Sequence, residues 1–166
     1  MVEIVVNPIT LQDRDRWAEL WRGYLDFYET RLPPEIYEHT WQRLIAAAGP
    51  IRGLGARQGG ATAPLVGIVH YLFHAHAWTA KEVCYLQDLF IDPTARRGGV
   101  GRRLIEAVAW AARERGCYRL YWTTKDDNAA ARSLYDRIAR FNGLSVTITR
   151  SSSLGEGAGA TIARLL

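Results

Sequence analysis

The most constraining feature of the sequence is an apolar strand followed directly by a glycine-containing turn and a helix. The run Val83–Ile91 is strongly apolar, which predicts a central strand. Asp92 and Pro93 turn the chain, and the loop Arg96–Gly101 follows. From Val100 onward the apolar residues recur at helical spacing. A helix N-terminus after such a turn offers free backbone N–H groups and partial positive charge, which together bind phosphate oxygens.

Two well-known phosphate fingerprints do not fit this turn. Gly99 and Gly101 are not followed by the third glycine of a dinucleotide-binding loop, and no Gly-Lys-Ser/Thr of a P-loop follows either. Taken alone, the turn is better explained as a plain helix cap with two turn glycines. Arginine side chains flank it and suit a more distal phosphate; they are Arg96, Arg97, Arg102 and Arg103.

The remaining sequence predicts one mixed α/β domain over residues 1–166, with elements in the order β-α-α-β-β-β-α-β-α-β. This order differs from the strict alternation of a doubly wound sheet. The predicted strands are Glu3–Val6, Ile51–Arg57, Leu65–His76, Val83–Ile91, Leu120–Thr124 and Ser145–Arg150. The predicted helices run from a Thr10–Asp13 capping box to about Tyr28, over Pro34–Ala48, from Val100 to a stop at Gly116, and over Asn128–Ile138.

Composition narrows the class of protein further. The 166 residues are 48% hydrophobic and 23% charged, as in an ordinary globular domain. The two cysteines are too few for a disulfide framework or a zinc site. With no run of ~20 apolar residues and no signal-peptide pattern, we expect a cytoplasmic protein without a membrane partner. Residues 151–160 are expected to be flexible, and Thr161–Leu166 to form an extra strand or one exchanged in a homodimer.

Charge is unevenly distributed along the chain. Residues 96–119 hold seven Arg and two acidic residues, whereas residues 1–95 hold eight basic and eleven acidic residues. The basic segment suits a phosphorylated ligand and the acidic half a cationic one, although both are also consistent with solvated faces. A net charge of +4 is modest for a nucleic-acid-binding protein, so no nucleic-acid partner is expected.

The pattern Arg96-x-x-Gly99-x-Gly101 resembles the GNAT superfamily of acyl-CoA N-acyltransferases. The flanking segments strengthen the resemblance, which covers about residues 83–143; they are Tyr85-Leu86-Gln87-Asp88-Leu89-Phe90-Ile91 upstream and Trp122-Thr123 with Asn128…Ala131-Arg132-Ser133-Leu134-Tyr135 downstream. These flanks are most similar to the spermidine/spermine acetyltransferase-like subgroup, which acetylates polyamines and histone tails. The resemblance implies a mixed, mostly antiparallel sheet of about six or seven strands flanked by four helices.

The resemblance also implies an acetyl-CoA site and no metal. The pantetheine arm is expected against the strand end Leu89-Phe90-Ile91 and near Asn128. The pyrophosphate is expected on the turn, formed by Arg96, Arg97, Gly98, Gly99, Val100, Gly101 and Arg102. Tyr135 is implied near the thioester sulfur, where a phenol with a pKa near 10 can protonate the leaving thiolate. Tyr135 also fits the apolar face of its helix, so a core role is the alternative.

Asp88 is the candidate on the amine side. A carboxylate in an otherwise apolar strand is either paired or functional, and here it could orient an ammonium or accept its proton through water. Some polyamine-acetylating relatives carry Glu at the position of Gln87, and Gln cannot act as a base. The acceptor is expected near the first two helices, where carboxylates and tyrosines suit an ammonium group; they are Asp26, Glu29, Glu35, Glu38, Tyr24, Tyr28 and Tyr37.

The sequence therefore predicts an N-acetyltransferase in which the amine attacks acetyl-CoA directly in a ternary complex. The expected acceptor is a primary amine of a small cationic molecule. A protein lysine or N-terminus is the alternative acceptor, and a non-catalytic acyl-CoA sensor on the same fold is the alternative function. His70, His74 and His76 share strand parity, but their spacing is a weak metal pattern. A proton-transfer role for one of them remains open.

Overall fold

The computed structural model describes residues 2–125 and 145–149, which form a mixed α/β fold. The strands are β1 (Ile4–Pro8), β2 (Arg52–Gln58), β3 (Leu65–His76), β4 (Thr79–Ile91), β5 (Leu120–Lys125) and β6 (Ser145–Thr149). The helices are α1 (Arg14–Phe27), α2 (Pro34–Ile45) and α3 (Val100–Glu114), with short 3₁₀ turns at Leu11–Asp13 and Pro93–Ala95. None of the helices within this described part is long and apolar enough to cross a membrane.

The six strands form one sheet in their order along the chain. Pairing is antiparallel from β1 to β4 and parallel from β4 through β6. The predicted α/β class with a mixed sheet is confirmed. The predicted helix Asn128–Ile138 and the tail with its proposed exchanged strand lie outside the described residues, so the homodimer stays a prediction.

Several predicted element ends were wrong by a few residues. β4 begins at Thr79 rather than Val83, because the β3–β4 hairpin continues the pairing as far as His76 opposite Thr79. α2 ends at Ile45 rather than Ala48, because Ala46 already adopts extended backbone angles. The predicted capping box is confirmed: the Thr10 backbone N–H donates to Asp13 Oδ2 at 2.8 Å.

Each face of the sheet carries its own apolar cluster. On one face α3 buries Leu104, Ile105 and Val108 against the sheet, together with Trp122 of β5. On the other face α1 and α2 pack three tryptophans over β3; they are Trp17, Trp21 and Trp41. Because both faces are covered, β3 and β4 are central strands whose inward polar side chains must find partners within the protein.

A β-bulge in β4 decides which side chains face which helix. His70 lies opposite Asp88, but the next residue of β3, Tyr71, lies opposite Leu86, so Gln87 is the extra residue. Leu86 and Leu89 both pack in the α3 cluster, whereas Phe90 packs in the α1–α2 cluster. The bulge thus reverses the alternation of β4, and it places Asp88 among the residues beneath α1.

Candidate active site

The turn between β4 and α3 has the backbone geometry that a phosphate site requires. Gly99 adopts the left-handed conformation (φ +85°) that a side chain disfavours, and α3 begins at the next residue, Val100, as predicted. Arg97 also has a positive φ, of +64°. The first N–H groups of α3 are therefore free at the end of the helix where its dipole favours anions.

The four flanking arginines differ in their partners: two of them lie near one carboxylate, and a third donates to a backbone carbonyl. Arg102 donates to Glu106 at 2.7 Å, and Arg103 lies 3.8 Å from the same carboxylate. Arg96 donates through Nε to the Ile91 carbonyl at 3.2 Å, while Arg97 is exposed on the turn. Exposed helix pairs such as Arg102–Glu106 contribute only about 0.3–0.5 kcal/mol, so these guanidinium groups remain available to an incoming anion.

Asp92 joins the end of β4 to the turn and to α1. Its Oδ1 accepts hydrogen bonds from the Thr94 backbone N–H (2.9 Å) and hydroxyl (2.7 Å). Its Oδ2 accepts from Arg16 of α1 at 2.6 Å, and Arg16 also donates to the Leu65 carbonyl at 2.9 Å. The hydrogen bonds from Thr94, and then the one from Arg16, lower the pKa of Asp92 to about 2.

We expect Asp92→Asn to destabilise the fold by about 1 kcal/mol, because a neutral amide loses the charge-assisted bond to Arg16. Since the pKa of Asp92 is lower in the folded chain, its contribution is present above the unfolded value near 4 and disappears as the pH falls toward 2. The difference in unfolding free energy between the wild type and the variant should therefore shrink on acidification. A difference that stays constant between pH 6 and pH 2.5 would contradict this role.

Asp88 is buried and hydrogen-bonded at the point where β4 enters the expected donor site. It is 8% exposed, and His70 Nδ1 lies 2.8 Å from its Oδ2. The opposite ring nitrogen of His70 accepts from the Trp17 indole N–H at 2.9 Å. Asp88 is therefore a paired carboxylate one residue before Leu89, while the neighbouring Gln87 is exposed.

Tyr24 of α1 completes the surroundings of Asp88. Burial of the phenol, and then the charge of the nearby Asp88, raises the pKa of Tyr24. The phenol therefore remains protonated and lies near the carboxylate as a potential donor. The sequence pattern groups Tyr24 with the expected acceptor region but does not connect it with Asp88. The sequence signal for this contact is Gly23, a glycine inside α1. A Cβ at this position would lie 2.6 Å from the Phe90 ring, so the glycine allows α1 to approach β4 closely.

The three histidines of β3 do not converge. His74 Nε2 lies 2.8 Å from the Tyr121 hydroxyl, and His76 Nε2 lies 3.0 Å from Arg119. Within residues 2–125 and 145–149, no group of three His, Cys, Asp or Glu side chains is arranged to hold a metal ion.

An open pocket of about 480 Å³ lies at the C-terminal end of α1. Its lining includes two of the acidic residues expected to face the acceptor, Asp26 and Glu29, together with Thr30 and Arg31. Glu38 is instead engaged on the surface with Arg14 and Gln42. The predicted acidic region is thus divided, and its α1 part borders this pocket.

Comparison with known proteins decides the family. The profile described as the Acetyltransferase (GNAT) family matches residues 15–141. The chain is a GNAT acetyltransferase. It is 38% identical over 136 residues to the D-amino-acid N-acetyltransferase HPA3 of Saccharomyces cerevisiae, covering 82% of this chain and 84% of that protein.

Two further comparisons are more limited. The thialysine N-epsilon-acetyltransferase of Caenorhabditis elegans is 32% identical over 74 residues, or 45% of this chain and 46% of that protein. The structure of AAC(6')-Iy in complex with the bisubstrate analogue CoA-S-monomethyl-acetylneamine superposes with a TM-score of 0.71 at 15% identity, covering 99% of both chains. At that identity the likeness shows the fold alone.

This GNAT enzyme is therefore an acetyl-CoA-dependent N-acyltransferase, as the sequence predicted. The subgroup that acetylates polyamines and histone tails is a finer assignment, and it stays a prediction. Of the expected site residues, Asp88 and Leu89–Ile91 lie in the last part of β4, and Arg96–Arg102 form the turn and the start of α3. Asn128 and Tyr135 lie outside the described residues.

Proposed function

We propose that this enzyme transfers the acetyl group of acetyl-CoA to a primary amine of a small cationic molecule, by direct attack within a ternary complex. The observation that carries the proposal is Asp88, a buried carboxylate that adjoins the expected donor strand and faces α1. The named activities of two relatives, on D-amino acids and on thialysine, support a small amine acceptor.

The donor half of the site fits a CoA thioester. The free N–H groups at the start of α3, together with Arg96 and Arg97, suit the pyrophosphate. When bound, the thioester supplies an activated acetyl carbonyl and a thiolate leaving group. The strand end Leu89–Ile91 is proposed to align the pantetheine arm by backbone hydrogen bonds.

The acceptor half must bind an ammonium group and remove one proton, because a protonated amine has no lone pair for attack. Asp88, hydrogen-bonded to His70 and close to the phenol of Tyr24, is suited to this task. We propose that the carboxylate attracts the ammonium and accepts its proton directly or through water. Asp26 and Glu29, which border the pocket beyond α1, offer a site for a second positive charge of the acceptor.

Tyr135 is proposed to protonate the departing thiolate. Tyr135→Phe keeps the aromatic ring and removes only the hydroxyl. We expect roughly a 100-fold loss of kcat with the Kd for acetyl-CoA unchanged, because the lost proton donor acts only during the chemical step. A parallel loss of donor affinity would instead indicate a packing role.

The direct test is an amine panel assayed by release of the CoA thiol. The panel holds diamines and polyamines, amino sugars, D- and L-amino acids with and without a second amine, and a lysine-containing peptide. We expect turnover of small amines, with higher kcat/KM where a second positive charge is present. Turnover of the peptide alone would favour a protein acceptor, and acetyl-CoA binding with no turnover of any amine would favour a sensor.

A further inference from the structure

We infer that His70 is a positioning residue: Trp17 holds it as a neutral imidazole with its hydrogen on Nδ1, and that hydrogen fixes the Asp88 carboxylate without neutralising its charge. The inference rests on the proposed role of Asp88 on the amine side. It assigns a function to a buried pair, Trp17 and His70, that the acetyl-CoA site itself does not use.

The hydrogen bonds of His70 determine its tautomer. An indole N–H can only donate, so His70 Nε2, 2.9 Å from Trp17 Nε1, must accept and can carry no hydrogen. The single hydrogen of the neutral ring is therefore on Nδ1, where it donates to Asp88 Oδ2 at 2.8 Å. Although this distance would suit an ion pair, the Trp17 donor requires a neutral imidazole.

Burial makes this arrangement difficult to change. Trp17 and His70 are each 1% exposed, and the imidazole packs against the stacked rings of Trp17 and Trp21, with centroids 6.1 and 5.9 Å away. Protonation of Nε2 would set two N–H donors, those of His70 and Trp17, against each other between side chains that are each buried. The two N–H groups would then be left unsatisfied.

The other buried aspartate of the described chain shows why a neutral partner matters. Asp13, also 8% exposed, is paired with the buried guanidinium of Arg57, which cancels its charge. Asp13 also accepts from the Thr10 backbone N–H of the capping box, so its role is structural. Asp88 is buried to the same extent, but its strand partner is a neutral ring, so it keeps a net negative charge beneath α1 for an ammonium to approach.

Two titratable side chains of the helices packed over β3 lie near the imidazole. α1 contributes Tyr24 through its contact with Asp88, and α2 contributes Tyr37, whose ring packs edge-on against Trp21. On the β2 side, the residue opposite His70 is Gly53. Burial raises the pKa of both tyrosines, so neither changes charge between pH 5 and pH 8.

The first test does not depend on catalysis. The protein has four histidines, and the nitrogen-15 resonances of His70 are assigned by their loss in His70→Gln. We expect a protonated Nδ1 and an unprotonated Nε2 throughout pH 5–8. A hydrogen on Nε2, or a doubly protonated ring within this range, would overturn the inference even if acetyl transfer is observed. Conversely, an enzyme that turns over no amine while showing the expected tautomer would contradict only the proposed function.

The second test separates positioning from packing. His70→Gln offers a carboxamide whose oxygen can accept from Trp17 and whose nitrogen can donate to Asp88, whereas His70→Leu can do neither. We expect His70→Leu to lower kcat roughly 10- to 100-fold and His70→Gln to stay within about threefold of the wild type, with acetyl-CoA affinity unchanged in both. Equal losses in the two variants would contradict the positioning role.

A third variant tests the part played by Trp17. Trp17→Phe keeps an aromatic ring but frees Nε2, so His70 can take a proton and neutralise Asp88. We expect kcat/KM of this variant to gain an acid-side inflection between pH 5 and pH 8 that is absent from the wild type. The inflection should vanish in the double variant Trp17→Phe/His70→Gln, because Gln does not titrate. Its persistence there, or its absence from a folded Trp17→Phe, would contradict the inference.

Discussion

Asp88→Asn is expected to lower kcat by roughly 10²- to 10³-fold while leaving the Kd for acetyl-CoA unchanged. Asn has the shape of Asp, and its side-chain oxygen can still accept from His70 Nδ1. The variant therefore removes the charge and the basicity of the group while retaining the buried hydrogen bond. Thiol-release kinetics with a saturating amine give kcat, and calorimetric titration gives the donor affinity.

Gln87 provides the matched control for this experiment. It is the extra residue of the bulge, is exposed, and lies next to Asp88 in the chain. Gln87→Asn makes a comparable change on the solvent side, and its kcat should stay within about threefold of the wild type, as for an ordinary surface substitution. A larger effect at Gln87 than at Asp88 would transfer the amine-side role to the bulge residue, the position at which some relatives carry Glu.

Most of the secondary structure was predictable because the local patterns are strong. Leu65–His76 was predicted to the residue, since a run rich in β-branched and aromatic residues that follows a Gly- and Pro-containing turn is typical of a hairpin strand. The start of α3 at Val100 was predicted for a similar reason, because Gly98 and Gly99 end one element and the helical spacing begins another. The start of β4 and the end of α2 were missed because strand pairing across a hairpin and the last turn of a helix depend on packing rather than on local pattern.

The orientation of Asp88 was not predictable. Cys84, Leu86, Asp88 and Phe90 alternate regularly, which by itself predicts that all four face the same side of the sheet. The bulge at Gln87 separates them, and it follows from the register between β3 and β4. A carboxylate in an apolar strand was sufficient to single out Asp88, but not to show which helix it faces.

The partners of Asp88 were also beyond sequence reasoning. Trp17 and His70 are 53 residues apart, and His70 and Asp88 are 18 residues apart, so their hydrogen bonds exist only once α1 lies across β3 and β4. Trp17 in a helical apolar stripe and His70 in an apolar strand both have ordinary core explanations. Only the two hydrogen-bond distances, together with the fact that an indole N–H can only donate, show that Trp17 and His70 are linked to Asp88.

The second large effect is expected on acetyl-CoA binding, at the turn between β4 and α3. Gly98→Glu should weaken acetyl-CoA binding by about 2 kcal/mol, or roughly 30-fold in Kd, because the added carboxylate would repel the pyrophosphate. Gly98 is better suited to this test than Gly99, whose φ of +85° would strain any side chain. A Cβ at Gly98 meets mainly the end of the Gln58 side chain, at 3.2 Å, which can move aside.

Gly98→Gln separates the charge from the bulk of the new side chain. It matches Glu in size, so we expect its Kd to remain within about threefold of the wild type. The difference between the two variants should also shrink at high ionic strength, because the turn is exposed and salt screens the repulsion. Equal weakening by Glu and Gln would mean that the added side chain blocks the turn sterically. No weakening by either would mean that the glycines only cap α3, and the donor phosphates would then have to bind elsewhere on this enzyme.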